Sequence, residues 1–122
     1  TFRMSEHYNR GISGERLAVA YLTSKGYRIL AQNYRYLKAE VDIIAQKENC
    51  LAAVEVKTRS STAFGAPEEF LKPAQIQRII KAVDYFVTSN ELDVEVRFDI
   101  IAIVLSKNDP EIEHIENAFY HF

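Results

Sequence analysis

The chain has 122 residues, of which 48% are hydrophobic and 26% charged. That is enough apolar surface for one packed core and too much for a disordered chain. A single cysteine, Cys50, excludes an internal disulfide and reads as a small core residue. No apolar run approaches the roughly 18 residues of a membrane span, and Thr1–Arg10 is too polar for a secretory signal. One domain over residues 1–122, flexible at 1–10 and cytoplasmic, is therefore expected. The net charge of −2 argues against a protein that grips nucleic acid by bulk charge. Residues 1–59 nevertheless carry ten Lys/Arg against six Asp/Glu, and residues 60–122 five against eleven. Either the basic half presents a local positive face to a polyanion, or the halves interleave and the asymmetry means nothing.

Ser13-Gly14-Glu15 opens a helical pattern with Leu17, Ala18, Ala20, Tyr21 and Leu22 as its apolar stripe, and Gly26 is placed to stop it. Tyr27–Tyr36 reads as a strand, Glu40–Ala45 as a second and Leu51–Thr58 as a third, the last two joined by a turn at Lys47–Asn49. Ser60–Pro67 reads as a flexible loop, the segment to which any base-specific reading would fall. A helix follows Pro73, with Ile76, Ile79, Ile80, Val83, Phe86 and Val87 at helical spacing. Val94–Leu105 is a long strand and Ile112–Phe119 a last, alternating one. The predicted order is αβββαββ, an α/β fold with a mixed sheet flanked by helices.

The unusual feature is charge inside apolar strands. Asp42 precedes Ile43-Ile44-Ala45, and Glu55-Val56-Lys57 follows Leu51-Ala52-Ala53-Val54. Residues two apart on a strand share a face, so Glu55 neighbours Lys57 and Glu40 neighbours Asp42. If the two strands pair across the Lys47–Asn49 turn, Asp42 and Glu55 converge. Two carboxylates with the Val56 backbone carbonyl would suit Mg²⁺ or Mn²⁺, hard cations that take oxygen ligands and keep several waters. Such an ion would activate a bound water and neutralise phosphate charge, while Lys57 oriented the attacking water and stabilised developing negative charge. The bland alternative is a solvated strand edge whose ion pair contributes about 0–1 kcal/mol.

Asp42, then twelve residues, then Glu55-Val56-Lys57, resembles the Asp…Glu-x-Lys signature of the PD-(D/E)xK, or restriction-endonuclease-like, superfamily. More closely the chain is similar to the YraN-like family of small bacterial proteins. The resemblance is carried by Gly14-Glu15 with Leu17-Ala18 and Tyr21-Leu22, by Gly26–Leu30 with Asn33 and Arg35, and by Glu40–Ala45 and Val54–Arg59. It continues through Phe64-Gly65, Arg97–Ile101 and Asn117–Phe119, and so spans about residues 10 to 119. It implies a restriction-endonuclease-like three-layer core and a metal-dependent endonuclease similar to archaeal Holliday-junction resolvases, acting on branched or structured DNA. It adds Glu15 as a further metal-site carboxylate beside Asp42, Glu55 and Lys57, and it makes a homodimer attractive. Ala39 stands where the family has Gly, and Val41 where the superfamily has Pro. Neither change removes a side chain that the chemistry needs. The alternative function is a non-catalytic nucleic-acid-binding module of the same fold; a protein-interaction domain with an accidental motif is the third reading.

Tyr34-Arg35-Tyr36-Leu37-Lys38 interleaves aromatics with bases, fit either to stack on bases and contact phosphates or simply to close a hairpin. Arg59 is a further candidate phosphate contact, and Glu40 a supporting acid. Lys72, Arg78 and Lys81 form either a basic rim or a solvated helix face. Asp99 is expected in a structural salt bridge with Arg97, and His114 at the surface or in the core. The apolar end Phe119–Phe122 is expected to dock on the sheet or to join a dimer contact.

Overall fold

The computed structural model describes residues 13–59, 71–104 and 109–119. The expected flexibility of residues 1–10 and the loop Ser60–Pro67 lie outside them, as do Leu105 and Tyr120–Phe122.

Helix α1 (Gly14–Ser24) begins where Ser13 Oγ accepts the Arg16 amide at 3.3 Å, with Glu15 as an acid in the first turn. It ends at Lys25, and Gly26 follows in the left-handed region at φ 94°, a conformation that glycine adopts without steric cost. Strands β1 (Arg28–Tyr36), β2 (Ala39–Lys47) and β3 (Cys50–Arg59) form an antiparallel meander closed by two tight turns, Leu37-Lys38 and Glu48-Asn49. Helix α2 (Pro73–Ser89) starts with its proline in the first turn, where the missing amide hydrogen costs nothing. It carries the chain across to β4 (Glu95–Val104), which pairs parallel to β3; β5 (Glu111–Ile115) then closes the sheet antiparallel to β4. The strand order is β1-β2-β3-β4-β5, a mixed five-stranded sheet. The predicted element order holds.

The alternation of the central strands explains why helices cover both faces. Ala52 and Val54 of β3, with Ile101 and Ile103 of β4, pack on Leu17, Ala18 and Leu22 of α1. Leu51 and Ala53, with Phe98 and Ile100, pack on Ile79, Ala82 and Val83 of α2. Strands covered on both faces read as continuous apolar runs. A charge in such a run therefore needs partners, because burying it alone is costly. Among the described residues only two charged side chains are buried, Glu55 at 4% exposure and Asp99 at 0%.

Asp99 is fully partnered. Arg97 donates to both of its oxygens at 2.8 Å, the expected salt bridge, and the Asn117 amide donates at 3.0 Å. His114 Nε2 lies 2.8 Å from Asp99 Oδ2, and Tyr21 Oη 3.2 Å from His114 Nδ1. This network corrects the last strand, expected to run over Ile112–Phe119. It stops at Ile115 because the chain turns, with Asn117 at φ 54°, to deliver its amide to the buried carboxylate. Phe119 then stacks on Phe98 at 5.2 Å, so this part of the C-terminal end docks on the sheet. Cys50, expected in the core, is half-buried at the start of β3. No helix among the described residues is long and apolar enough to cross a membrane.

Candidate functional site

The β2–β3 ladder runs from Lys47↔Cys50 to Ile43↔Val54 and stops there. Beyond it β2 stays paired with β1 down to Ala39, and β3 stays paired with β4 up to Arg59, so the two strands part. Parting strands leave backbone groups without partners, and here two carboxylates take that role. Glu55 Oε2 accepts the Asp42 amide at 3.2 Å, and Asp42 Oδ2 accepts the Val56 amide at 2.8 Å. Each carboxylate is thereby fixed by the other strand's backbone. In an extended strand the N–H and C=O of one residue point to the same side. The Val56 carbonyl therefore faces the same fork as its amide.

The fork opens into a cavity of about 610 Å³ between the sheet and the first half of α2. Asp42, Glu55, Val56 and Lys57 line its floor, and Glu40, Lys38, Lys72 and Arg78 also contribute to its wall. The convergence of Asp42, Glu55 and Lys57 expected from their spacing is thus present. Glu15 behaves differently. Its carboxyl lies beside that of Asp42, and it is not among the residues that line the cavity. Among the described residues no three His, Cys, Asp or Glu side chains form a ready metal cage. Of the expected metal set of Asp42, Glu55, the Val56 carbonyl and Glu15, the first three share the cavity, and Glu15 adjoins Asp42.

Electrostatically the floor is short of positive charge. Burial, and then the charge of Asp42, push the Glu55 carboxyl from its ordinary 4.5 up to about 8. Burial also raises Asp42, partly offset by the Val56 amide and by Glu15. Burial and the Asp42 charge raise Glu15 in turn. Lys57 counters these shifts only in part. A divalent cation would relieve all three. Glu55 gives one oxygen to a backbone amide and keeps its second for a ligand, while Asp42 gives one to the Val56 amide and also faces the Glu15 carboxyl. This donor set fits Mg²⁺, which binds through one or two carboxylates and keeps waters for the rest.

The candidate nucleic-acid contacts divide. Lys38 lines the cavity; Arg35 instead pairs with Glu40 at 2.7 Å, an exposed ion pair, because the hairpin register sets them opposite each other. Arg59 is exposed, donates to the Thr58 carbonyl at 3.0 Å and does not line the cavity. Tyr36 stacks on Tyr85 of α2 at 4.3 Å. Lys72 and Arg78 are solvent-exposed and contribute to the cavity wall. Sequence reasoning missed two partnerships. Tyr85 sits at helical spacing from Arg78 and Lys81, a visible signal. The His114–Asp99 contact is made by residues fifteen apart on separate strands, and nothing local announces it.

Fold and site together define a mixed α/β protein with helices on both faces of a five-stranded sheet and a carboxylate–lysine cavity where two strands part. Residues 14–103 match the model of the uncharacterised protein family UPF0102, and the chain belongs to that family of bacterial proteins. It is 57% identical to a UPF0102 protein of Flavobacterium psychrophilum and 59% identical to one of Christiangramia forsetii, in each case over 98% of this chain and 100% of the relative. A UPF0102 protein of Geobacter sulfurreducens is 45% identical over 93% of this chain and 91% of its own length.

Proposed function

We propose that this chain is a metal-dependent endonuclease with a restriction-endonuclease-like core, acting on DNA, in particular on branched or structured DNA such as Holliday junctions. The observation that carries this reading is the pair of carboxylates in the β2–β3 fork, Glu55 buried and Asp42 half-buried, opening with Lys57 into a cavity that Lys38, Lys72 and Arg78 share. Asp42, Glu55 and the Val56 carbonyl would hold Mg²⁺ or Mn²⁺, with Glu15 beside Asp42 as the further metal-site carboxylate. The ion would supply an activated water and neutralise phosphate charge. Lys57 orients the attacking water and stabilises negative charge on the phosphate as it develops. Lys38, Lys72 and Arg78 draw the flanking phosphates to the rim. A homodimer would suit a two-fold branched substrate.

The test is cleavage of labelled four-way junction, flap, duplex and single-stranded DNA with Mg²⁺ or Mn²⁺. Lys57→Ala should lower the rate at least about 100-fold while DNA and metal still bind. Asp42→Ala should abolish metal binding. Unchanged metal affinity in Asp42→Ala would sink the proposed site. Binding of DNA with no metal-dependent cutting would make the chain a binding module of the same fold.

A further inference from the structure

A second groove, of about 380 Å³, adjoins the carboxylate cavity and shares Lys38, Ala39 and Arg78 with it. Its surface is mostly apolar, built from Tyr36, Leu37 and Ala39, and Lys38, Arg78 and Lys81 border it. Tyr85 extends it, since its ring stacks on Tyr36 with the planes 19° apart. Arg78, Lys81 and Tyr85 are spaced three and seven apart on α2, so one helix face carries two cations and an aromatic ring.

Two features of this surface bear on a ligand. Among the described residues the exposed large hydrophobic side chains are Leu37, at 83%, and Tyr85, at 49%, and both belong to this surface. Leu37 also sits at the tip of the β1–β2 hairpin with φ 55°, a conformation that bulky side chains avoid. A turn chosen for stability alone would carry Gly, Asn or Asp there.

Resting on the reading that the carboxylate cavity cuts nucleic acid, we propose that the Tyr36–Leu37–Tyr85 shelf receives an unpaired base next to the scissile phosphate. An apolar, π-faced surface bordered by three cations complements a nucleotide, whose base is flat and apolar-faced and whose backbone is anionic. A continuous duplex hides its base faces in the stack and offers only phosphates and groove edges. It would leave the shelf wet. The substrate class is therefore DNA with a splayed or single-stranded nucleotide beside the cut, as at a flap, gap or junction, rather than uninterrupted duplex.

The experiment measures binding of the intact protein in EDTA, by fluorescence anisotropy, to three labelled DNAs of equal length. These are a single strand, the same strand with abasic residues in place of its bases, and a blunt duplex. The abasic strand keeps the phosphates and removes the stacking partner. Wild type should bind the ordinary strand about tenfold more tightly than the abasic one. Tyr85→Ala and Leu37→Ala should remove most of that difference, and Tyr85→Phe, which keeps the ring, should preserve it. Leu37 is so exposed that its loss cannot unfold the chain. Equal affinity for ordinary and abasic strands in wild type, duplex binding as tight as single-strand binding, or no DNA binding at all would each overturn the proposal. Base discrimination without metal-dependent cleavage would leave the shelf standing and overturn the nuclease reading; cleavage without base discrimination would do the reverse.

Discussion

The Asp42 amide donates to the Glu55 carboxylate while the Asp42 carboxylate accepts from the amide next to Glu55, so each acid is held by the other's strand. This reciprocal tie keeps two like charges together in a place that disfavours both. Glu55 bears most of the cost, with its carboxyl pushed up to about 8.

The sign of the resulting pH dependence follows from linkage. A carboxyl whose pKa is higher folded than unfolded contributes stability that is fully present below its ordinary value, 4.5, and lost as pH rises through about 8. Glu55→Gln keeps the shape and removes the charge. In the metal-free protein it should raise stability by about 2 kcal/mol at pH 8, and the advantage should vanish near pH 4. Urea denaturation of both proteins at the two pH values measures the difference.

Metal should act on the same strain. If Mg²⁺ binds the folded fork as proposed and not the unfolded chain, then at ten times its Kd it should stabilise the wild type by about 1.4 kcal/mol, or raise Tm by about 5 °C. Chelation should reverse the shift. Asp42→Asn should show none of it in a thermal melt with and without Mg²⁺, and a full shift in that variant would mean that the ion binds elsewhere.

Asp99 behaves in the opposite sense. Burial pushes its carboxyl up, but His114, Arg97 and the Asn117 amide together outweigh burial and hold it below the ordinary 3.8. A depressed pKa gives stability that is present above that value and lost as pH falls through the folded-state pKa. Asp99→Asn should cost about 3 kcal/mol at pH 7, because it removes the buried charge that Arg97 and His114 face, and progressively less in strong acid. Equilibrium denaturation across that acid range checks both the size and the direction.

Sequence periodicity revealed the element order and a mixed sheet with helices packed on it, because apolar runs of that length and type have few alternatives. It also revealed the meeting of Asp42 with Glu55, since a single tight turn fixes their register. What it hid depends on distant register. The pairing of Arg35 with Glu40 follows from the β1–β2 register, which periodicity alone does not give. The contact of Glu15 with Asp42 depends on how α1 packs on the sheet, which no local pattern gives. The alternating pattern at Ile112–Phe119 continues past Ile115, and only the buried Asp99 carboxylate, eighteen residues from Asn117, explains why the strand does not.

The strand order has a kinetic consequence. The β2–β3 fork lies wholly within a meander whose strands are neighbours in the chain, so its contacts close short loops and incur little closure entropy. The β3–β4 pair must instead wait for the α2 crossover. Substitutions in the meander should therefore slow folding, and those in β5 chiefly speed unfolding. The two carboxylates are brought together by the part of the chain able to assemble first, and the rest of the sheet closes around them.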